Sequence, residues 1–169
     1  MTAQTPRIAI IGAGMAGVTC ARLLGEAGFR PTIFEKSRGI GGRLSTRRGE
    51  SPQGLLLAFD HGAQYITAKT PGFAAELEAA HSAGTAAFWQ ADGLETAGFR
   101  RRYVGQPGMN APLKHWLDGP AESKLKLGCE IASVTRDGPA WQISFTDGAE
   151  ADVFDFVIST APAPQAAKL

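Results

Sequence analysis

The chain has little of several things, and each shortage excludes something. Two dispersed cysteines, Cys20 and Cys129, cannot build a disulfide framework. They imply a reduced, cytoplasmic protein in which both pack as small side chains. Seventeen Lys+Arg against sixteen Asp+Glu leave a formal net charge of +1. That gives no basic field for nucleic acid or for an anionic membrane. No apolar run approaches membrane-spanning length, and the opening MTAQTPR has no apolar signal core. No His/Cys grouping has zinc spacing, so no metal site is read, and no G-x-S-x-G elbow appears. There is no internal repeat or low-complexity tract. What remains is a chain of 169 residues. It suffices for one domain with a sizeable core, burying about 70% of its unfolded surface.

What is present is concentrated in the first fifty residues. Ile8, Ala9, Ile10 and Ile11 form a nearly continuous apolar run of strand length, as expected of a strand buried on both faces. Gly12-Ala-Gly14-Met-Ala-Gly17 follows at once. Gly12 permits the tight turn, Gly14 lets backbone approach a pyrophosphate, and Gly17 lets a helix pack closely on the strand. The helix is expected to bury Ala16, Cys20, Leu23, Leu24 and Ala27 and to end at Gly28. Its N-terminal N–H groups suit a phosphate.

A second strand, Pro31 to Glu35, ends on an acid 18 positions after Gly17. A carboxylate there bonds the ribose hydroxyls of an adenosine and repels a 2′-phosphate, so an NADP-type dinucleotide is not expected. Taken alone, Glu35 could be a solvated strand-end acid; strand, glycines, helix and acid in register make it a ligand group. Gly41-Gly42-Arg43 then selects FAD over NAD. A glycine pair and an arginine shortly after the ribose acid bring backbone and a fixed cation to the same pyrophosphate. The plainer reading is a basic surface loop, since Arg38, Arg43, Arg47 and Arg48 cluster here.

Residues 36–54 read as a Gly- and Arg-rich connection with a short helix near Arg43 to Thr46, and Leu55 to Phe59 as a strand. Thr70-Pro71 opens a helix to about Ser82 with Phe73, Leu77 and Ala80 on one face. Ala86 to Ala91 and Glu95 to Val104 read as strands about an Asp92-Gly93 turn. Phe88, Trp89, Phe99 and Tyr103 suit either core packing or a pocket for a flat ring. Lys124 to Leu127, Glu130 to Thr135 and Trp141 to Phe145 read as strands, with turns at Asp137-Gly138 and Asp147-Gly148. Phe154 to Ser159 reads as a return strand.

IAIIGAGMAGVTCARLLGEAG, FEKSRGIGGRLSTR and FDHGAQYIT resemble the flavin-containing amine oxidase superfamily, and within it the renalase-like branch. Gln106 to Leu117 resembles that family's glycine-opened helix, and Phe154 to Gln165 its strand and turn back to the FAD domain. The resemblance implies an α/β fold: a Rossmann-like FAD-binding domain with a parallel sheet, an antiparallel β-meander and the start of a substrate domain. It divides the chain into an FAD-binding βαβ core over 1–67, the start of a substrate-side region over 68–117, and the meander and return over 118–169. It implies FAD contacts from Gly12, Ala13, Gly14, Met15, Ala16, Gly17, Glu35, Lys36, Gly42, Arg43, Gly62, Ala63, Gln64, Tyr65, Ile131 and Ala161. In that set, Gly62 and Ala63 bring backbone to the flavin ring, Gln64 bonds its polar edge, Tyr65 packs on it, and Ile131 meets the adenine through backbone. His61 is either a catalytic candidate or a turn histidine bonded to backbone.

The implied activity is oxidation of an isomeric dihydronicotinamide dinucleotide, with hydride passing to flavin N5 and O2 reduced to hydrogen peroxide. Another amine or an isoprenoid as substrate, a non-catalytic FAD-binding module and an NAD-only domain are the alternatives. Members of the family are about twice this length. The chain therefore reads as the N-terminal half of one, which leaves its competence alone open, and its oligomeric state is not legible.

Overall fold

The computed structural model describes residues 5–89, 101–118 and 123–169. It divides into two compact units: Met1–Gly42 with Trp116–Leu169, and Arg43–His115.

In the first unit β1 (Ile8–Ile11) is buried at every position. It leads into α1 (Met15–Glu26) and β2 (Thr32–Glu35). β8 (Lys124–Leu127) and β12 (Phe156–Ser159) complete a four-stranded sheet in the order β12-β1-β2-β8. All three pairings are parallel. β9 (Ile131–Asp137), β10 (Ala140–Phe145) and β11 (Asp152–Phe154) form an antiparallel three-stranded sheet, ordered β11-β10-β9. Ala9, Ile11 and Phe34 of the parallel sheet share a core with Ile131, Ile143 and Phe154 of the antiparallel one. Phe34 meets Phe154 edge-on at 5.7 Å and Phe145 at 5.5 Å. A short α4 (Ala163–Ala166) follows β12.

The second unit opens after a 3₁₀ turn at Gly42–Leu44. β3 (Thr46–Glu50) and β4 (Leu56–Asp60) form a ribbon. β5 (Ile66–Thr67), β6 (Ala86–Phe88) and β7 (Arg102–Gly105) form a sheet ordered β5-β7-β6. α2 (Pro71–Ser82) has Thr70 as its N-cap, whose hydroxyl oxygen accepts the Phe73 N–H at 3.4 Å, and it buries Leu77 and Ala80. The unit ends at His115, inside α3 (Ala111–Leu117). Among the described residues, no helix is long and apolar enough to cross a membrane.

Four expectations are corrected. α1 buries Gly17, Val18 and Ala21, while Ala16 and Ala27 are exposed and Leu23 is 52% exposed. Small residues face inward because Gly17 lies against the Gly12 carbonyl, which leaves no room for leucine on that side. Lys124–Leu127 is not part of the meander; it is the parallel edge strand beside β2. The stretch read as 154–159 is two strands, β11 and β12, pairing in different sheets. Thr46–Glu50, read as connection, is a strand paired with Leu56–Asp60. The Asp92-Gly93 turn, Gln90, Ala91, Phe99 and residues 95–100 of the expected strand lie outside the described residues.

Candidate functional site

The site is built where β1 and β12 end side by side. This is the carboxyl edge of a parallel sheet at a change of strand order, the usual place for a dinucleotide. Gly12 leaves β1 at φ +101°, a conformation that suits glycine, and its N–H donates to the Phe34 carbonyl at 2.8 Å. Gly14 is the N-cap of α1, and no side chain caps that helix. The first intrahelical bond is Val18 N–H to the Gly14 carbonyl, 3.0 Å, so the N–H groups of Met15, Ala16 and Gly17 precede the helical ladder. A Cβ at Gly14 would meet no protein atom nearer than Gly42 Cα at 3.9 Å. A methyl there would fit in ordinary van der Waals contact with Gly41 and Gly42, so protein packing alone does not require glycine at this position.

Glu35 ends β2 at 8% exposure. Its Oε2 accepts the Ala13 N–H at 2.8 Å and its Oε1 the Ser37 N–H at 2.9 Å. Each carboxylate oxygen keeps a further lone pair for a hydroxyl donor. The acid thus shapes the glycine turn as well as presenting acceptors beside it. Gly41 N–H donates to the Ala13 carbonyl at 2.9 Å, and Gly42, at φ +54°, lies against Gly14.

Thr160 was expected only as the start of the turn past the cofactor, and its hydroxyl has a role that the sequence did not show. Its hydroxyl reaches the Ile11 carbonyl at 2.9 Å and the Gly12 carbonyl at 3.1 Å, and its N–H donates to Ile11 at 2.9 Å. Its one hydroxyl proton is therefore shared between two carbonyls. A Cβ at Gly12 would lie 2.9 Å from Thr160 Oγ1 and one at Gly17 3.0 Å from it, so both glycines make room for this hydroxyl. The available signal was a threonine directly after the return strand.

The remaining predicted residues fall in three places. Ala161 follows Thr160 and is half-buried. Lys36 is exposed, 4.0 Å from Glu130, and Ile131 puts its side chain into the core. Arg43, His61, Gly62, Ala63, Gln64 and Tyr65 belong to the second unit. There a Cβ on Gly62 would overlap the Arg43 carbonyl and approach its Cα to 3.0 Å, so Gly62 seats the backbone of Arg43. His61 is exposed, with Nε2 3.5 Å from Ser45 Oγ. Asp60 Oδ1 accepts from the Thr46 hydroxyl at 2.6 Å and from Met109 N–H at 3.0 Å, tying the segment to the turn before α3. Of the candidate ring-pocket aromatics, Phe88 and Tyr103 meet at 5.2 Å with their rings inclined by 52°, while Trp89 meets Tyr65 at 5.4 Å.

Residues 10–77 match the NAD(P)-binding Rossmann-like domain and residues 71–169 the flavin-containing amine oxidoreductase family. The chain is 32% identical to renalase from Mus musculus over 96% of its own length and 49% of that protein. It therefore spans about half the length of that curated relative. An L-amino-acid oxidase from Pseudechis australis is 43% identical over 29% of this chain and 10% of its own. The fold is shared with a fatty acid isomerase from P. acnes that produces CLA, at TM-score 0.71 and 14% identity, over 99% of this chain and 62% of that one. With more than half of its residues in the second match, the chain belongs to the flavin-containing amine oxidoreductase family, and FAD is the cofactor that membership implies.

Proposed function

We propose that this chain is the FAD-holding part of a renalase-like oxidase, taking hydride from an isomeric dihydronicotinamide dinucleotide and passing the electrons to O2. The observation that carries this reading is the Gly12–Gly17 turn held by buried Glu35 through Ala13 N–H, in a chain similar to mouse renalase along 96% of its length. When bound, FAD supplies a hydride acceptor at N5 and, once reduced, a two-electron donor that converts O2 to hydrogen peroxide.

The residues of the chain bind and orient. The open face of Gly14 and the first-turn N–H groups of α1 receive the pyrophosphate, where the helix dipole favours negative charge. Glu35 accepts from the ribose hydroxyls with the lone pairs its two backbone bonds leave over. Gly42 keeps the wall beside Gly14 low, and Arg43 adds a cation. Gly62, Ala63, Gln64 and Tyr65 serve the flavin ring. In a dihydronicotinamide the ring nitrogen lone pair expels the hydride, so no protein acid is needed; His61 is assigned to the turn. A cytoplasmic location is part of this reading, and two dispersed cysteines that form no disulfide with each other are compatible with it.

The test is peroxide formation by the FAD-loaded chain. Isomeric dihydronicotinamide dinucleotides are expected to yield NAD(P)+ and peroxide in equal amounts. The similarity to L-amino-acid oxidase supports an amine as the second reading. Peroxide from amino acids or amines, with none from dihydronicotinamides, would replace the first reading by the second.

A further inference from the structure

The glycine turn lies at the carboxyl end of β1, and the opposite, amino edge of the same parallel sheet carries a second concave site. Arg7 directly precedes β1, Arg30 stands two positions before β2, and Ser123 directly precedes β8. These three, with Lys124 and Lys126 of β8 and Asp152 of β11, line a cavity of about 520 Å³. A strand of four residues puts roughly 13 Å between the two edges. The whole lining belongs to the first unit.

Four cations and one carboxylate line this cavity, in a chain whose formal net charge is only +1. The carboxylate is already matched. Asp152 Oδ1 accepts from Arg7 Nη2 at 2.6 Å, and Lys126 Nζ lies 3.5 Å from Asp152 Oδ2. Arg30 is engaged within the chain and adds only its charge. Lys124 differs: it is exposed on the edge strand, and its ammonium has no acceptor among the described residues. It stands on the same face of β8 as Lys126, because side chains alternate along a strand.

Lysines on an edge strand are commonly no more than solvated. Solvation does not explain Ser123, whose Oγ is buried and finds no hydrogen-bond partner. A hydroxyl cut off from both protein and water is costly, and such groups are rare in folded chains. We propose that Ser123, Lys124 and Lys126 form an anion site for a phosphate group, free or carried by a small molecule. The Ser123 hydroxyl turns about its single χ1 bond to donate to a phosphate oxygen in the cavity. The Lys124 ammonium brings three N–H donors, and that of Lys126 keeps two beyond its contact with Asp152. Charge gathered in a concavity, on a chain with almost no net charge, suits a small anion and not a nucleic acid or a membrane surface. The site stands independently of the substrate reading given above.

The test is isothermal titration of the full chain with inorganic phosphate, inorganic diphosphate and AMP. FAD is present in excess to occupy the glycine turn, and sodium chloride at matched ionic strength is the blank. Saturable uptake of one diphosphate per chain is expected. Lys124→Glu should weaken it at least about tenfold; if that variant loses its melting transition, Lys124→Ala replaces it with the same expectation. Ser123→Ala should weaken it about fivefold and melt no lower than the wild type, because the hydroxyl it removes has no partner to lose. Neither variant should change FAD uptake. AMP binding as tightly as inorganic phosphate supports a phosphorylated molecule as the source, and AMP binding at least about tenfold more weakly supports the free anion. Uptake no stronger than the chloride blank, or equal affinity in the Lys124 variant, would overturn the site. So would a lowered melt in Ser123→Ala with phosphate uptake intact. FAD uptake without diphosphate uptake removes this site and keeps the cofactor reading. Diphosphate uptake that is lost in Lys124→Glu, by a chain that takes up no FAD, does the reverse.

Discussion

Gly14 and Gly17 are glycines for different reasons, and the difference is measurable. A methyl at Gly17 would overlap the Gly12 carbonyl, whereas one at Gly14 meets nothing nearer than 3.9 Å. Gly17→Ala should therefore destabilise the chain by about 2 kcal/mol, as overpacking of a close contact does. Gly14→Ala should melt with the wild type and still bind FAD at least about tenfold more weakly, because the new methyl stands where the pyrophosphate approaches. Thermal melts and FAD titrations on the two variants check both halves. Thr160→Val keeps the shape of the residue and removes its hydroxyl from the Ile11 and Gly12 carbonyls. It should lose about 1 kcal/mol of stability and retain less FAD; Thr160→Ser should restore both. The glycines and Glu35 were legible because their spacing is local. Thr160 was not, since its carbonyl partners lie 149 and 148 positions away and only the pairing of β12 with β1 brings them together.

At the scale of elements, the parallel sheet is tied to the antiparallel one by charge as well as by the Phe34 cluster. Asp152 of β11 accepts from Arg7, just before β1, at 2.6 Å and lies 3.5 Å from Lys126 of β8. Burial alone would raise the Asp152 carboxyl, but the hydrogen bond and charge of Arg7, with Lys126, outweigh it and hold the group below its usual range. Its folded pKa is thus lower than its unfolded one. The stabilisation is fully present above about pH 4 and is lost as pH falls through the folded value. Asp152→Asn should lower the melting temperature at pH 7, by no more than about 1 kcal/mol of stability, and the gap to wild type should close toward pH 3. Melts across that range would show it. β1, β2 and α2 could be read from apolar run, propensity and cap. β3 could not: Thr-Arg-Arg-Gly-Glu has no alternation, and it is a strand because Leu56–Asp60 lies beside it. β8 was placed in the wrong sheet because periodicity marks a strand and says nothing about its neighbour.

At the scale of the whole molecule, the account is that these residues fold into an FAD cradle around one glycine turn and one acid. The family was legible because its motifs are short and contiguous; the return of the last fifty residues toward the first forty was expected only from the resemblance, because no local pattern links segments so far apart. The ribbon β3–β4 exposes Leu56 at 83% and Phe59 at 57%, and such a ribbon contributes little stability by itself. Leu56→Lys should accordingly change the melting free energy by less than about 0.5 kcal/mol, as measured by denaturant titration. The most direct measurement is titration of the cofactor-free chain with FAD, followed by flavin fluorescence, with Glu35→Ala alongside. The account predicts saturable single-site uptake by the wild type and at least about tenfold weaker uptake by the variant. No uptake by the wild type, or equal uptake by both, would contradict it.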